Sequence, residues 1–151
     1  MLDQRPRDER IAEHEGLRLT KYQDEEGNWT IYVGHLCKKD EIYLGTKEDA
    51  MKYLAQDLKI AERDAGSLFP DYKNMSQNRQ EALVELCFNM GRTRIAHKFP
   101  QFVHNVNTKQ WESAGDELQY ANGRTKLSLS GWYKQVKEHR AEDILERIRE
   151  G

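Results

Sequence analysis

The apolar residues of this chain change period once, near Thr46, and that change limits the folds open to it. Before it, from Leu17 to Leu44, the signals are strands and turns. Leu17, Leu19 and Lys21 alternate loosely with Arg18, Thr20 and Tyr22, E-E-G-N is a turn, and N-W-T-I-Y-V is β-branched and aromatic. A small antiparallel sheet of two or three strands is expected. Ahead of it, residues 8–15 read as a short helix ended by Gly16. After it the period is helical. T-K-E-D (46–49) reads as a capping box with Thr46 as N-cap, opening a helix to about Asp64 that carries Ala50, Tyr53, Leu54, Leu58 and Ala61 on one face.

S-L-F-P-D-Y breaks that helix, and Ser76 caps the next, whose stripe of Ala82, Leu83, Leu86, Cys87 and Met90 is stopped by Gly91. That wide stripe predicts the core of the larger lobe. Shorter helices are expected at about 98–106 and 109–121, R-T-K-L-S-L-S as a loop, and a last helix from Trp132 toward the C-terminus. Strands segregated from helices mean α+β. The expectation is one domain over 1–151: an N-terminal lobe at about 12–60 holding the small sheet, a long connecting helix, and a helical lobe at about 65–151 with the first helix added. A cleft is natural where two such lobes join.

Composition narrows the function. The chain has 151 residues, a net charge of −2 and 33% charged residues of mixed sign. A basic surplus that would capture nucleic acid is missing. No apolar run reaches the ~18–20 residues that cross a bilayer. The N-terminus, M-L-D-Q-R-P-R-D-E-R, is charged where a secretory signal would be apolar, so a soluble monomer without its own export signal is expected. Cys37 and Cys87 have no neighbouring Cys or His at metal-site spacing; they read as free thiols, and neither metal nor cofactor is expected.

Chemistry concentrates in H-E-G-L-R-L-T-K-Y-Q-D-E-E-G-N-W-T-I-Y-V-G-H (14–35). Glu15 ends a helix, Asp24 sits in the turn between two strands, and Thr30 follows on the second strand. Glycosidic cleavage needs two carboxyl groups in different surroundings, one protonated as acid and one ionised as base or nucleophile. Glu15 is the better candidate for the protonated group and Asp24, in an exposed turn, for the ionised one. The Thr30 hydroxyl could hold a water beside Asp24. Alone the pair is weak, because 26 acids among 151 residues produce suggestive spacings often.

This segment closely resembles the catalytic segment of the phage-type lysozymes, the T-even bacteriophage lysozyme family of glycoside hydrolase family 24 endolysins. That family shows Glu, eight residues, Asp, five residues, Thr, then Gly-His; Glu15, Asp24, Thr30, Gly34 and His35 stand in those places. A-L-V-E-L-C-F-N-M-G (82–91), W-E-S-A (111–114), S-G-W-Y-K-Q-V (130–136) and Arg140 resemble later blocks in the same order. The resemblance implies a two-lobed lysozyme-like fold and a muramidase cutting between N-acetylmuramic acid and N-acetylglucosamine in peptidoglycan. Glu15 would be the acid and Asp24 the base that positions water with Thr30. It further implies sugar or peptide contacts from Leu36, Phe88, Asn89 and Phe102, and an Arg140 that partners Glu15, against an exposed charge on the last helix. His35 is expected to pair with an acid such as Asp57 rather than to act directly. Trp29, Trp111 and Trp132 are expected to pack.

Implied partners are peptidoglycan glycan strands and a holin that releases the enzyme from the host cytoplasm to the periplasm, or else a virion. The rivals are a lytic transglycosylase and a non-catalytic wall-binding or virion structural module. Two departures stand out. Tyr32 replaces a glycine usual in the family, so it must reshape the strand or cleft floor, restrict substrate, or offer a stacking surface. R-A-E-D-I-L (140–145) carries acids where relatives often carry another base, which weakens any pull toward an anionic wall.

Overall fold

The computed structural model describes residues 2–151. Helix α1 (Arg7–Glu15) precedes strands β1 (Arg18–Gln23), β2 (Trp29–Tyr32) and β3 (His35–Leu36). Helix α2 (Lys47–Leu68) follows, then a short 3-10 turn at Tyr72–Asn74. The remaining helices are α3 (Gln77–Met90), α4 (Arg92–Lys98), α5 (Pro100–Asn107), α6 (Trp111–Gln119), α7 (Gly131–Val136) and α8 (Glu138–Glu150). The α+β class and the lysozyme-like element order hold. By its contacts the chain divides into two compact units, residues 4–60 and residues 61–151 with 2–3.

In the first unit the sheet is antiparallel in the order β1-β2-β3. Tyr22 pairs with Thr30 and Thr30 with Leu36, so these three residues form one row across the sheet. A bulge between Arg18 and Tyr22 adds twist to β1. Gly16, at φ 80°, sends its N–H back to the Ala12 carbonyl and ends α1 at Glu15. At the other end of the unit, the Thr46 hydroxyl accepts the Asp49 N–H at 3.1 Å, as the capping reading expects.

In the second unit α3 is the centre: every residue from Ala82 to Cys87 is buried. A helix covered on all sides must satisfy any polar group it carries. Glu85, 0% exposed, accepts a hydrogen bond from Arg140 Nε at 2.7 Å. Arg140 is itself 7% exposed, which overturns its reading as an exposed charge on the last helix. Around this pair, Ser76 caps α3 through the Arg79 N–H. Arg79 in turn donates to the Ile148 and Arg149 carbonyls at 2.8 and 3.0 Å, closing the end of α8. Its guanidinium lies 4.0 Å over the Trp111 ring. Asp3 joins the same helix: its N–H meets Asp143 Oδ1 at 2.9 Å and its carbonyl accepts from Arg147.

Three boundaries differ from the sequence reading. Helix α2 runs past Asp64 to Leu68, because Ala65 is buried and outweighs the cost of Gly66; Pro70 then ends it. Arg92–Lys98, given no element in the sequence reading, is a helix with buried Ile95, and the helix expected at about 98–106 starts at Pro100. The last helix is two helices, broken where Lys137 takes φ 72°. That turn lets Trp132, Tyr133 and Val136 on α7, and Ala141, Ile144, Leu145 and Ile148 on α8, all reach the interior. The cysteines are free, and burial pushes the Cys87 thiol up to about 12.

Glu85→Ala leaves Arg140 buried without this carboxylate. It should cost about 3–5 kcal/mol in chemical denaturation; a loss below ~1 kcal/mol would contradict the central role given to the pair.

Candidate active site

The geometry starts with the turn between β1 and β2. Its backbone closes through Asp24 N–H to Asn28 O at 2.9 Å and Gly27 N–H to Asp24 O at 3.0 Å. Gly27, at φ 81°, supplies the left-handed residue this tight loop requires. The Asp24 side chain braces the same loop, its Oδ1 accepting the N–H groups of Glu26 at 2.9 Å and Asn28 at 2.8 Å. Among the described residues Oδ2 has only a long contact, 3.4 Å, from the Asn28 side-chain amide. The carboxylate is thus oriented by backbone through one oxygen while the other keeps its accepting capacity.

Thr30 is 3% exposed and donates its hydroxyl hydrogen to the Asn28 carbonyl at 3.0 Å. With that hydrogen committed, its oxygen can only accept from a third group. Turn and strand therefore present two acceptors and no donor from these side chains.

Glu15, half-buried, closes α1, and only Gly16 and Leu17 separate it from the start of β1 at Arg18. Both carboxylates act on one ring, that of Tyr22. Its phenol is pushed above the ordinary tyrosine value, first by burial. The charges of Glu15 and Asp24 add to the shift, while Arg18, whose guanidinium lies 4.2 Å over the ring, opposes it. The sequence reading gave Tyr22 only as part of the strand pattern. The signal was available: once E-E-G-N is taken as the turn, Tyr22 falls opposite Thr30. Leu36, at the far end of that row, is 65% exposed.

Tyr32 is where the structure says most. It keeps a positive φ of 61°, a conformation that costs an L-residue roughly 1–2 kcal/mol. The ring is 0% exposed, so it is no stacking surface for a ligand. It packs against Tyr43 and Tyr53 with centroids 5.6 and 5.7 Å away. Its hydroxyl donates to Asp49 Oδ2 and accepts the Gly45 N–H at 3.0 Å. The tyrosine therefore reaches from the end of β2 to the start of α2 and holds the intervening loop. His35 has a similar duty: Nδ1 lies 2.7 Å from Asp57 Oδ2 and the ring 4.6 Å from that of Tyr53, tying β3 to α2.

Phe88, Asn89, Phe102 and Arg140 belong to the second unit. Asn89 and Phe102 border a cavity of about 690 Å³ there, with Phe102 only 1% exposed and edge-on to Phe69 at 6.2 Å. Phe88 is half-buried and outside its lining. Trp132 is 5% exposed and borders the same cavity.

Comparison with known proteins agrees with this arrangement. The phage lysozyme family model matches residues 12–142. A probable T4-type lysozyme of Dictyostelium discoideum is 28% identical over 74% of this chain and 80% of its own. The endolysin of Salmonella phage P22 is 33% identical over 71% of this chain and 74% of its own. The pre-baseplate central spike protein of Enterobacteria phage T4 is 30% identical over 85% of this chain but only 25% of its own length.

Tyr32→Phe should cost about 1–3 kcal/mol, by removing a partner from Asp49 and from the Gly45 N–H. Tyr32→Gly relieves the backbone strain but deletes the ring, and should cost more than the phenylalanine variant. Thermal melts of both check the order; a glycine variant as stable as wild type would show that the ring holds nothing.

Proposed function

Because the chain belongs to the phage lysozyme family, and is a lysozyme-type glycoside hydrolase of the cell wall, we propose that it hydrolyses the bond between N-acetylmuramic acid and N-acetylglucosamine in peptidoglycan. One observation carries the assignment: Asp24 Oδ2 and Thr30 Oγ1 are both acceptors once their other capacities are used. A water seated there gives one hydrogen to each and turns a lone pair outward. Asp24 then takes the proton as the water attacks the anomeric carbon. Glu15 gives its proton to the leaving oxygen, so the departing sugar leaves as a neutral alcohol. Water is the nucleophile in this scheme, and attack on the face opposite the leaving group inverts the anomeric centre.

A transglycosylase needs the acid but no water-holding pair, and a binding module needs neither. The braced Asp24 and the committed Thr30 hydroxyl support hydrolysis over both. In this reading the enzyme stays in the host cytoplasm until release and then acts on the peptidoglycan, and its likeness to an endolysin supports that.

Glu15→Gln should abolish clearing of permeabilised cells while the melting temperature stays within a few degrees of wild type; full activity would remove Glu15 from the reaction. Asp24→Asn should lower the rate by 10²-fold or more, on the order expected for loss of a positioned base. Proton NMR of the first products should show the α-anomer at the new reducing end. A β-anomer would mean retention, and an anhydro-muramic end would mean transglycosylation.

A further inference from the structure

We propose that α4 carries a basic docking face for phosphodiester polymers of the cell wall; that the polymer is one of the wall rests on the peptidoglycan reading above. The face begins in the sequence. From Leu86 to Trp111 there is no Asp or Glu, although acids are 26 of the 151 residues. The same stretch holds Arg92, Arg94, Lys98 and Lys109 with His97 and His104. A chain of net charge −2 therefore keeps one long segment free of acids and supplied with bases.

In the fold these bases gather on α4. Ile95 turns inward, while Arg92, Arg94, His97 and Lys98 are exposed. Arg92 gives one N–H to Ser67 Oγ at 3.0 Å, which leaves further donors of its guanidinium for another acceptor. Lys109 turns aside to Asp71 at 3.6 Å. The bases work against their own helix. Arg92 and Arg94 lie in the first turn, where the helix dipole opposes cations, and Arg94 and Lys98 are a like-charge pair four residues apart. Local stability gives no reason for this composition, and an anionic partner supplies one.

The surroundings of the bases select the kind of anion. A single-stranded nucleic acid rests its bases on aromatic side chains, and no Phe, Tyr or Trp of residues 86–111 is exposed. A bilayer surface takes up apolar side chains, and none of the exposed large apolar residues described falls between Ile60 and Leu127. A chain of polyol phosphates, a kind of polymer that many bacterial walls carry, asks for neither. It needs spaced cations, and the guanidinium fork fits phosphate. This face is separate from the neighbouring cavity, which Arg94 and Lys98 border from one side. The cavity encloses the Trp132 indole N–H, buried with no partner, and Glu117, whose Oε1 lies 2.6 Å from where a Cβ on Gly123 would stand. An acid there repels phosphate, so the polymer lies outside, across Arg92 and His97, which take no part in the lining.

The test is titration of the full-length chain with poly(glycerol phosphate), whose backbone contains no glycosidic bond, at salt from ~50 to ~200 mM. Binding is thereby read apart from catalysis: a chain that binds this polymer but leaves peptidoglycan intact would refute the muramidase reading and not this one. Log affinity should fall against log salt with a slope of about −2 to −3, as for three cations that release counterions. Arg92→Gln combined with Lys98→Gln should make that slope shallower by about two and weaken binding roughly a hundredfold at the lowest salt. Arg92→Lys combined with Lys98→Arg keeps both charges and should bind as wild type does, which separates charge from damage to the helix. Oligothymidylate and phosphatidylglycerol vesicles, at equal phosphate concentration, should bind no more tightly than the polymer. The proposal is overturned if the glutamine variant binds like wild type, if the charge-preserving variant loses binding too, if affinity is flat in salt, or if either rival anion binds more tightly.

Discussion

The burial of Glu85 at the centre of α3 sets the terms for the helical unit. A helix buried from Ala82 to Cys87 gains the burial energy of six consecutive residues, but one of them is an acid that cannot be left without a counter-charge. Arg140 is the answer to that demand, and it must come from α8, 55 residues later in the chain. Bringing it there requires α7 and α8 to part at Lys137 and α8 to lie along α3. Arg79, Ser130 and Arg147 then secure the same neighbours through the α8 terminus, α6 and the segment at Asp3. The hydrogen-bonded charges specify where each apolar helix docks, a choice that hydrophobic contact alone leaves loose.

The smaller unit solves a different problem. Catalysis by two carboxylates asks for different surroundings within a short span, and a three-stranded sheet has little interior with which to create them. Local hydrogen bonding does the work instead. Asp24 is oriented by the turn it braces, and Thr30 is turned into an acceptor by the carbonyl of Asn28. The sheet itself is kept in place by side chains reaching α2: Tyr32 to Asp49 and His35 to Asp57. A strained tyrosine in a place usual for glycine fits this plan. What it loses in backbone energy it recovers in an aromatic cluster with Tyr43 and Tyr53, on the side away from solvent.

The two units also differ in the polar groups they carry. The sheet unit holds the acceptors and the acid proposed for bond cleavage. The helical unit holds a cavity with an orphan indole N–H and a carboxylate that Gly123 makes room for.

Much was decided locally, and so was legible in the sequence alone. Gly16, Thr46, Ser76 and Gly91 announce helix ends because caps depend on residues three or four apart. The three-strand hairpin follows from β-branched runs and a turn, and the order Glu15, Asp24, Thr30 follows from spacing. Tertiary structure decided what depends on distant residues. It kept α2 helical past Gly66, formed α4 around Ile95, and broke the last helix at Lys137, each because a buried side chain outweighed local preference. It turned Tyr32 from a suspected ligand surface into a buried tie, and of the two readings of Arg140 it removed the exposed charge by burying the guanidinium beside Glu85. Composition and spacing left the carboxylate pair one reading among several, and the resemblance over separated blocks named the chemistry. Which polar groups would be enclosed, and by what, awaited the packing that encloses them.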